Sequence, residues 1–134
     1  MRGLGAVARS KIPGSSDYFV GGIVAYTAEM KTSLLDVPKE TISDNGLVSE
    51  EVARAMASGA LARLGADYAL SITCAAGPEP HDGAEPGTLC LGMAVPGGAV
   101  ESRKLRVPGD RDQVRAFAAT FALAMLRTHL LSRG

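Results

Sequence analysis

The stretch Ile12–Lys31, IPGSSDYFVGGIVAYTAEMK, contains the clearest structural signals in the chain. Pro13-Gly14 is a typical turn pair, because proline presets its φ angle and glycine accepts positive values. Residues 18–26 are rich in aromatic and β-branched side chains, as expected of a β-strand. A short helical pattern follows directly and includes Lys31. The stretch therefore predicts a turn, a strand and a helix in immediate succession.

The same stretch holds the residues best suited to nucleophilic chemistry. Ser15 and Ser16 precede the predicted strand, Tyr26 ends it, and Lys31 lies in the helix beyond. A serine hydroxyl attacks an amide at neutral pH only with a base beside it. Lysine serves as that base when desolvation lowers its pKa. The ordinary alternative is that the serines only build the turn and that the lysine is a solvated surface charge.

Length and composition limit the possible functions. A chain of 134 residues with 46% hydrophobic side chains is the length of one domain and can bury a core. Fourteen basic and fourteen acidic residues cancel, and aromatic residues make up 4%, so neither nucleic acid nor a membrane surface is an expected partner. No apolar run approaches the roughly 20 residues of a membrane span. Cys74 and Cys90 are expected to be free thiols, as in a cytoplasmic protein, and no signal peptide is evident.

The middle of the chain predicts a helix followed by a strand. Residues 44–46, DNG, indicate a turn, and Ser49 is a good N-cap for a helix that Gly65 ends. Residues 68–73 are expected to form the next strand, and the order strand, helix, strand predicts parallel pairing with residues 18–26. The residues predicted to form the apolar stripe of the helix are Val52, Met56, Ala60 and Leu64.

The C-terminal part predicts a hairpin and a long helix. Residues 88–95 and 99–107 flank a Pro-Gly-Gly turn, and a helix runs from Gly109-Asp110-Arg111 to about residue 131. The side chains of this helix expected to face inward are Val114, Phe117, Phe121 and Met125. The chain is thus predicted to be one compact α/β domain, residues 1–134, with a mixed β-sheet and helices packed on its faces.

Five colinear blocks, covering nearly the whole chain, resemble the CinA C-terminal family, the nicotinamide-nucleotide amidases. They lie in IPGSSDYFVGGIVAYTAEMKTSLLDV, GLVSEEVARAMASGALARLGADYALSITCAAGP, PGTLCLGMAV and PGDRDQVR. The resemblance implies hydrolysis of the carboxamide of nicotinamide mononucleotide to nicotinate mononucleotide and ammonia, with no metal or organic cofactor. It also implies a homo-oligomer, because family members with this domain are commonly homo-oligomers.

The resemblance assigns a catalytic role to three residues. Ser16 is the implied nucleophile, Lys31 the base that takes and returns the proton, and Tyr26 the group that relays or orients that proton. Ser15 is the less favoured hydroxyl and is assigned to substrate binding. One histidine and one aspartate at His81-Asp82 are too few ligands for a metal site.

Further residues are expected to bind the substrate. Thr73 in ITCAAGP matches a family position whose hydroxyl and following amides would hold the substrate amide or its developing oxyanion. Gly77 belongs to the same block, and Gly87 and Thr88 in PGT would shape the neighbouring wall. Arg111 in GDR, at a helix N-terminus, would clamp the phosphate. The ordinary alternatives are a β-favouring threonine and a solvated arginine.

Three departures from the family pattern favour an alternative function. The register places Met1 within the family's ESCTGG signature, so the first strand is expected to be absent and the domain N-terminally shortened. Cys74 replaces a glycine, which would strain or narrow the site if that position needs positive φ. Ala28 replaces an asparagine that would contact substrate. The alternative is a catalytically impaired relative that binds a nucleotide or serves as an assembly subunit.

Overall fold

Four helices and three β-strands make up the described part of the computed structural model, which covers residues 25, 27–75 and 84–133. Three helices come first along the chain and are followed by the strands and a final long helix. The elements, in chain order, are α1 (Ala28–Leu35), α2 (Lys39–Asn45), α3 (Glu50–Leu64), β1 (Ala69–Cys74), β2 (Thr88–Ala94), β3 (Val100–Arg106) and α4 (Arg111–Arg133).

The three described strands form an antiparallel sheet in the order β1-β2-β3. Thr73 lies opposite Cys90 in the first pair of strands, and Thr88 lies opposite Arg106 in the second. The predicted hairpin is confirmed, and its turn is closed by a hydrogen bond of 3.0 Å from the Val95 amide to the Ala99 carbonyl. The parallel strand predicted at residues 18–26 lies, apart from residue 25, outside the described residues and stays a prediction.

Local capping signals place the helix ends. The Ser49 hydroxyl accepts a hydrogen bond of 3.2 Å from the Val52 amide, and α3 ends at Gly65 with a φ of 61°, as predicted. The predicted turn at residues 44–46 differs in detail, because its first two residues belong to the last turn of α2. Gly46, with a φ of 88°, ends that helix. The turn residues thus act as a helix C-terminus.

Helices α3 and α4 pack on opposite faces of the sheet. All residues of β2 are buried, as expected for a central strand covered on both sides. Cys90 faces α3 and clusters with Val48, Ala53 and Ala75. The opposite face forms a larger cluster with α4, made of Ile72, Leu89, Leu91, Met93, Val95, Val114, Ala118, Ala122 and Met125. This arrangement confirms an α/β domain with helices on both faces of its sheet.

Helix α3 lies very close to the sheet at Gly92. A Cβ atom at this position would collide with the Ala53 carbonyl and the Ser71 hydroxyl, so only glycine permits the approach. The same carbonyl accepts a hydrogen bond of 2.6 Å from the Ser71 hydroxyl, which ties α3 to β1. The backbone of α3 is therefore held directly against the strands that lead to the predicted site.

The buried side of α4 differs from the prediction in one residue. Val114 and Met125 are buried as expected, but Phe117 is 45% exposed. The small residues Ala118 and Ala122 take the inward positions and let the helix lie close to the strands. Arg111–Ser132 has the length and composition of a membrane span. One face of the helix packs on the sheet, whereas most of its residues are not buried.

Candidate functional site

Four of the eight predicted site residues fall in the described part of the chain. Lys31, Thr73 and Thr88 are buried, and Arg111 is exposed. The other four lie outside the described residues, so their predicted roles stay predictions; they are Ser15, Ser16, Tyr26 and Gly77.

One end of the sheet brings the described site residues together. β1 ends just after Thr73, whereas β2 begins at Thr88, because the two strands are antiparallel. β3 ends at Arg106, opposite Thr88, and the chain reaches Arg111 a few residues later. We call this end of the sheet the site edge. Thr73 and Thr88 therefore lie close together at this end, and Lys31 joins them through its hydrogen bond to Thr73. Arg111 begins the helix that packs on the opposite face of the sheet.

Lys31 is buried at the site edge. Its side chain is 3% exposed, and its Nζ atom donates a hydrogen bond of 3.1 Å to the hydroxyl of Thr73. Its backbone is held as well, because its amide donates to the Thr27 carbonyl and its carbonyl accepts from the Val37 amide. The alternative of a solvated surface lysine is wrong, and the role of Lys31 as a base stays a prediction.

Thr73 links Lys31 to the backbone before α3. The side chain is 1% exposed, and its hydroxyl donates a hydrogen bond of 2.9 Å to the Leu47 carbonyl. A hydroxyl has a single hydrogen, so toward Lys31 it acts only as an acceptor. The backbone amide of Ala75, two residues after Thr73, already has a partner as well, because it donates a hydrogen bond of 2.8 Å to the Thr88 carbonyl. In this arrangement Thr73 supports the lysine and has no hydrogen left for an oxyanion.

Two departures from the family pattern are accommodated without distortion. Among the described residues, Asp36 is the one non-glycine residue with a positive φ, so Cys74 has an ordinary extended backbone. The Cys74 side chain packs against the α4 cluster, on the opposite face of the sheet from Thr73. The expected strain or narrowing at Cys74 is therefore wrong. Ala28 is the first residue of α1, whose N-cap is the hydroxyl of Thr27.

Arg111 occupies the first turn of α4, where it is exposed to solvent. The helix N-terminus carries a capping box, in which the Asp110 carboxylate accepts from the Gln113 amide and the Gln113 side chain accepts from the Asp110 amide, both at 2.9 Å. An anion arriving here thus finds one helix amide already paired with a carboxylate. The predicted phosphate clamp would depend mainly on the guanidinium.

Sequence reasoning missed the Leu47 carbonyl, which orients the Thr73 hydroxyl. No sequence signal marks it, because the contact is made by a backbone atom.

Within residues 25, 27–75 and 84–133, no group of three or more His, Cys, Asp or Glu residues is placed to hold a metal ion. Burial raises the pKa of the Cys90 thiol to about 11, with Lys104 opposing the shift and Glu50 adding to it. The neutral thiol of Cys90 belongs to the core rather than to the site.

The chain is similar to proteins of one family along almost its whole length. Residues 3–130 match the family model of the CinA C-terminal domain. A CinA-like protein of Frankia casuarinae is 44% identical over 96% of this chain, and one of Mycolicibacterium vanbaalenii is 44% identical over 98%. The chain spans 29% and 32%, respectively, of these longer relatives.

Solved structures show the same similarity. The competence damage-inducible protein A of Klebsiella pneumoniae superposes with a TM-score of 0.92 and 33% identity, over 97% of this chain and 81% of that one. The competence/damage inducible protein CihA of Agrobacterium tumefaciens gives a TM-score of 0.89 and 34% identity, over 95% and 78%. By sequence and by fold, the chain belongs to the CinA C-terminal domain family.

Proposed function

We propose that this chain hydrolyses the carboxamide of nicotinamide mononucleotide to nicotinate mononucleotide and ammonia. The observation that carries the proposal is the buried Lys31, hydrogen-bonded to Thr73 at 3.1 Å in a chain of this family. Burying a lysine is costly and rare unless its amine has a task or a partner. A base for a serine nucleophile is such a task.

The hydrogen bonds of Thr73 suit Lys31 to the role of a base. Burial disfavours the charged form of an amine, and a base has to be able to exist without its extra proton. The hydrogen of the Thr73 hydroxyl is donated to the Leu47 carbonyl, so Lys31 is the donor toward Thr73. This hydrogen bond fixes the position of the amine, as the role of a base requires.

In the proposed reaction Lys31 transfers a proton twice, first from Ser16 to the leaving ammonia and then from water to Ser16. Ser16 Oγ bonds to the carboxamide carbon while Lys31 takes the hydroxyl proton. Lys31 gives that proton to the nitrogen as the C–N bond breaks, and ammonia leaves an acyl-serine ester. Water then attacks the ester, Lys31 takes a proton from it and returns it to Ser16, and nicotinate mononucleotide is released. Tyr26 orients the proton in these steps.

Arg111 is proposed to hold the other end of the substrate. The residue comes a few positions after the strand that ends opposite Thr88, and its side chain is exposed. A guanidinium pairs with two phosphate oxygens at once, which suits the 5′-phosphate of a mononucleotide. The substrate class supported by these residues is therefore an amide that carries a phosphate, rather than a free amide.

The test is ammonia release from nicotinamide mononucleotide by the purified chain, with the product identified by chromatography. We expect turnover by the wild-type chain and none by Ser16→Ala. Ser58→Ala, at an exposed serine on α3, is the matched control and should keep full activity. Turnover that survives Ser16→Ala would reject the mechanism. Binding of the nucleotide without any turnover would instead support the catalytically impaired alternative.

A further inference from the structure

Thr88 carries a hydroxyl that the network around Lys31 does not use. Its side chain is 5% exposed, yet within residues 25, 27–75 and 84–133 its hydroxyl makes no hydrogen bond. The neighbouring hydroxyls are committed, since Ser71 donates to the Ala53 carbonyl and Thr73 to the Leu47 carbonyl. The Thr88 hydroxyl is not among the fully buried polar atoms without a partner in the described residues, so it is placed to hydrogen-bond to a ligand or to solvent.

The Thr88 hydroxyl lies on the same face of the sheet as Thr73. Thr88 is two residues from Cys90, which faces α3, and side chains two apart in a strand share a face. Cys90 is directly opposite Thr73, so Thr88 and Thr73 are diagonal neighbours. Such neighbours lie about 7–8 Å apart in an antiparallel pair. The two side chains therefore leave the same face of the sheet a short distance apart.

The backbone around Thr88 is fixed before any ligand arrives. The Thr88 amide donates to the Glu85 carbonyl at 3.0 Å, and its carbonyl accepts from the Ala75 amide at 2.8 Å. The preceding Gly87 has a φ of 87°, and a Cβ there would collide with the Val107 carbonyl. Glycine is therefore required at that position, and Thr88 is presented from a rigid corner of the sheet.

We infer that the Thr88 hydroxyl donates a hydrogen bond to the carboxamide oxygen of the substrate, an inference that rests on the proposed function. When Ser16 bonds to the carboxamide carbon, negative charge develops on that oxygen, and a donor held in a fixed position stabilises it. Thr73 has no hydrogen left for this purpose, because its own is donated to Leu47. Thr88 is thus a catalytic residue in direct contact with the reacting group, and not only part of the wall.

The first test compares Thr88→Val with Thr88→Ser in ammonia release. Valine keeps the shape and removes the donor, so we expect kcat to fall about 10²-fold, the usual effect of losing one oxyanion donor. Serine keeps the hydroxyl and should remain within about tenfold of the wild type, which is about 1.4 kcal/mol. Thr120→Val is the matched control, because Thr120 is an exposed threonine whose hydroxyl bonds to its own helix. Its activity should not change.

A thermal measurement separates this role from a structural one. Replacing the Thr88 hydroxyl, which has no protein partner among the described residues, by a methyl group removes no hydrogen bond within the protein, so the Tm of Thr88→Val should be close to that of the wild type or higher. Loss of activity together with an unchanged or higher Tm supports the inference. A Tm that falls by several degrees with the activity would show that Thr88 supports the fold, and the inference would be wrong.

A binding measurement keeps the inference testable apart from turnover. On the Ser16→Ala background, calorimetry would compare nicotinamide mononucleotide with ribose 5-phosphate, which lacks the carboxamide. Thr88→Val should weaken binding of the first ligand about tenfold and leave binding of the second unchanged. If the wild-type chain is inactive but this selectivity holds, the amidase proposal fails and the Thr88 contact stands. Equal affinities of the two variants for both ligands would overturn the Thr88 contact.

Discussion

The Nζ atom of Lys31 lies 3.1 Å from the Thr73 hydroxyl, although 42 residues separate the two in sequence. Both side chains are buried, and the hydroxyl continues to the Leu47 carbonyl. One chain of hydrogen bonds therefore joins α1, the end of β1 and the segment before α3. The same contacts hold the amine in place and connect three parts of the scaffold, so activity and stability are coupled at this point.

Lys31→Met is expected to abolish ammonia release while preserving the fold. Methionine fills the same volume with an apolar chain, and a general base contributes about 10²- to 10⁴-fold to the rate. Steady-state kinetics would measure the loss. Lys39→Met is the matched control, because Lys39 is an exposed lysine at the start of α2. Full activity in Lys31→Met would show that another group takes the serine proton.

Thr73→Val is expected to lower both stability and turnover. The Leu47 carbonyl loses its donor and the Lys31 amine loses an acceptor, which should reduce the free energy of unfolding by about 1–3 kcal/mol. Urea denaturation would measure this change, and Thr73→Ser should recover most of it. The kcat should fall more than KM rises, since the threonine contacts the base and not the substrate. A variant as stable as the wild type would mean that the Thr73 hydrogen bonds contribute nothing.

The parts of the fold predicted correctly from the sequence depend on local chemistry. Ser49 and Gly65 mark the ends of α3 because an N-cap hydroxyl and a left-handed glycine act on their own neighbours. The hairpin between β2 and β3 is predictable because a Pro-Gly-Gly turn directly follows the apolar run at residues 88–95. In each case the interacting residues are close together in the sequence, so the structure they form can be predicted from the sequence alone.

The predictions that fail depend on tertiary contacts. A large apolar side chain such as Phe117 usually faces inward, but Ala118 and Ala122 allow α4 to approach the sheet more closely. From the sequence, Cys74 would strain or narrow the site if its position needed a positive φ, and only the structure shows its extended backbone and the side of the sheet that it faces. The hydrogen bond from Thr73 to the Leu47 carbonyl could not be predicted, because every residue has a backbone carbonyl and nothing in the sequence distinguishes this one. None of these outcomes can be inferred from side-chain type and spacing.

Cys90 is expected to react with thiol reagents far more slowly than Cys74 in the folded protein. Cys90 is fully buried with a pKa raised to about 11, whereas Cys74 is half-buried. The thiolate is the reactive form, so at mildly alkaline pH a colorimetric disulfide reagent should label Cys74 first and Cys90 only on unfolding. The Cys74→Ala and Cys90→Ala variants would assign the two phases. Fast labelling of Cys90 in the native protein would contradict its burial.

The raised pKa of Cys90 also predicts a loss of stability at high pH. In the unfolded chain the thiol ionises near its ordinary pKa of 9.0, whereas in the folded protein it stays neutral until the pH approaches its raised pKa of about 11. The contribution of Cys90 to stability is therefore complete below pH 9.0 and is lost as the pH rises toward about 11. Comparing the pH dependence of urea unfolding in the wild type and Cys90→Ala isolates this effect from other titrating groups. Identical pH dependence in both would show that the thiol does not contribute.

Arg111→Ala is expected to weaken binding of nicotinamide mononucleotide about tenfold or more, while leaving binding of the phosphate-free riboside almost unchanged. The capping box commits one amide of the α4 N-terminus to Asp110, so the guanidinium supplies most of the attraction for a phosphate. Arg127→Ala is the matched control, because Arg127 is an exposed arginine farther along the same helix.

Calorimetric titrations of both ligands at two salt concentrations would test the Arg111 prediction. Salt screens an exposed charge pair, so the advantage of the phosphorylated ligand should shrink at high salt in the wild type. It should be small at either concentration in Arg111→Ala. Equal weakening of the nucleotide and the riboside would show that Arg111 supports the helix end instead. A weakening in Arg127→Ala as large as that in Arg111→Ala would mean that general positive charge, and not a clamp at the site edge, attracts the phosphate.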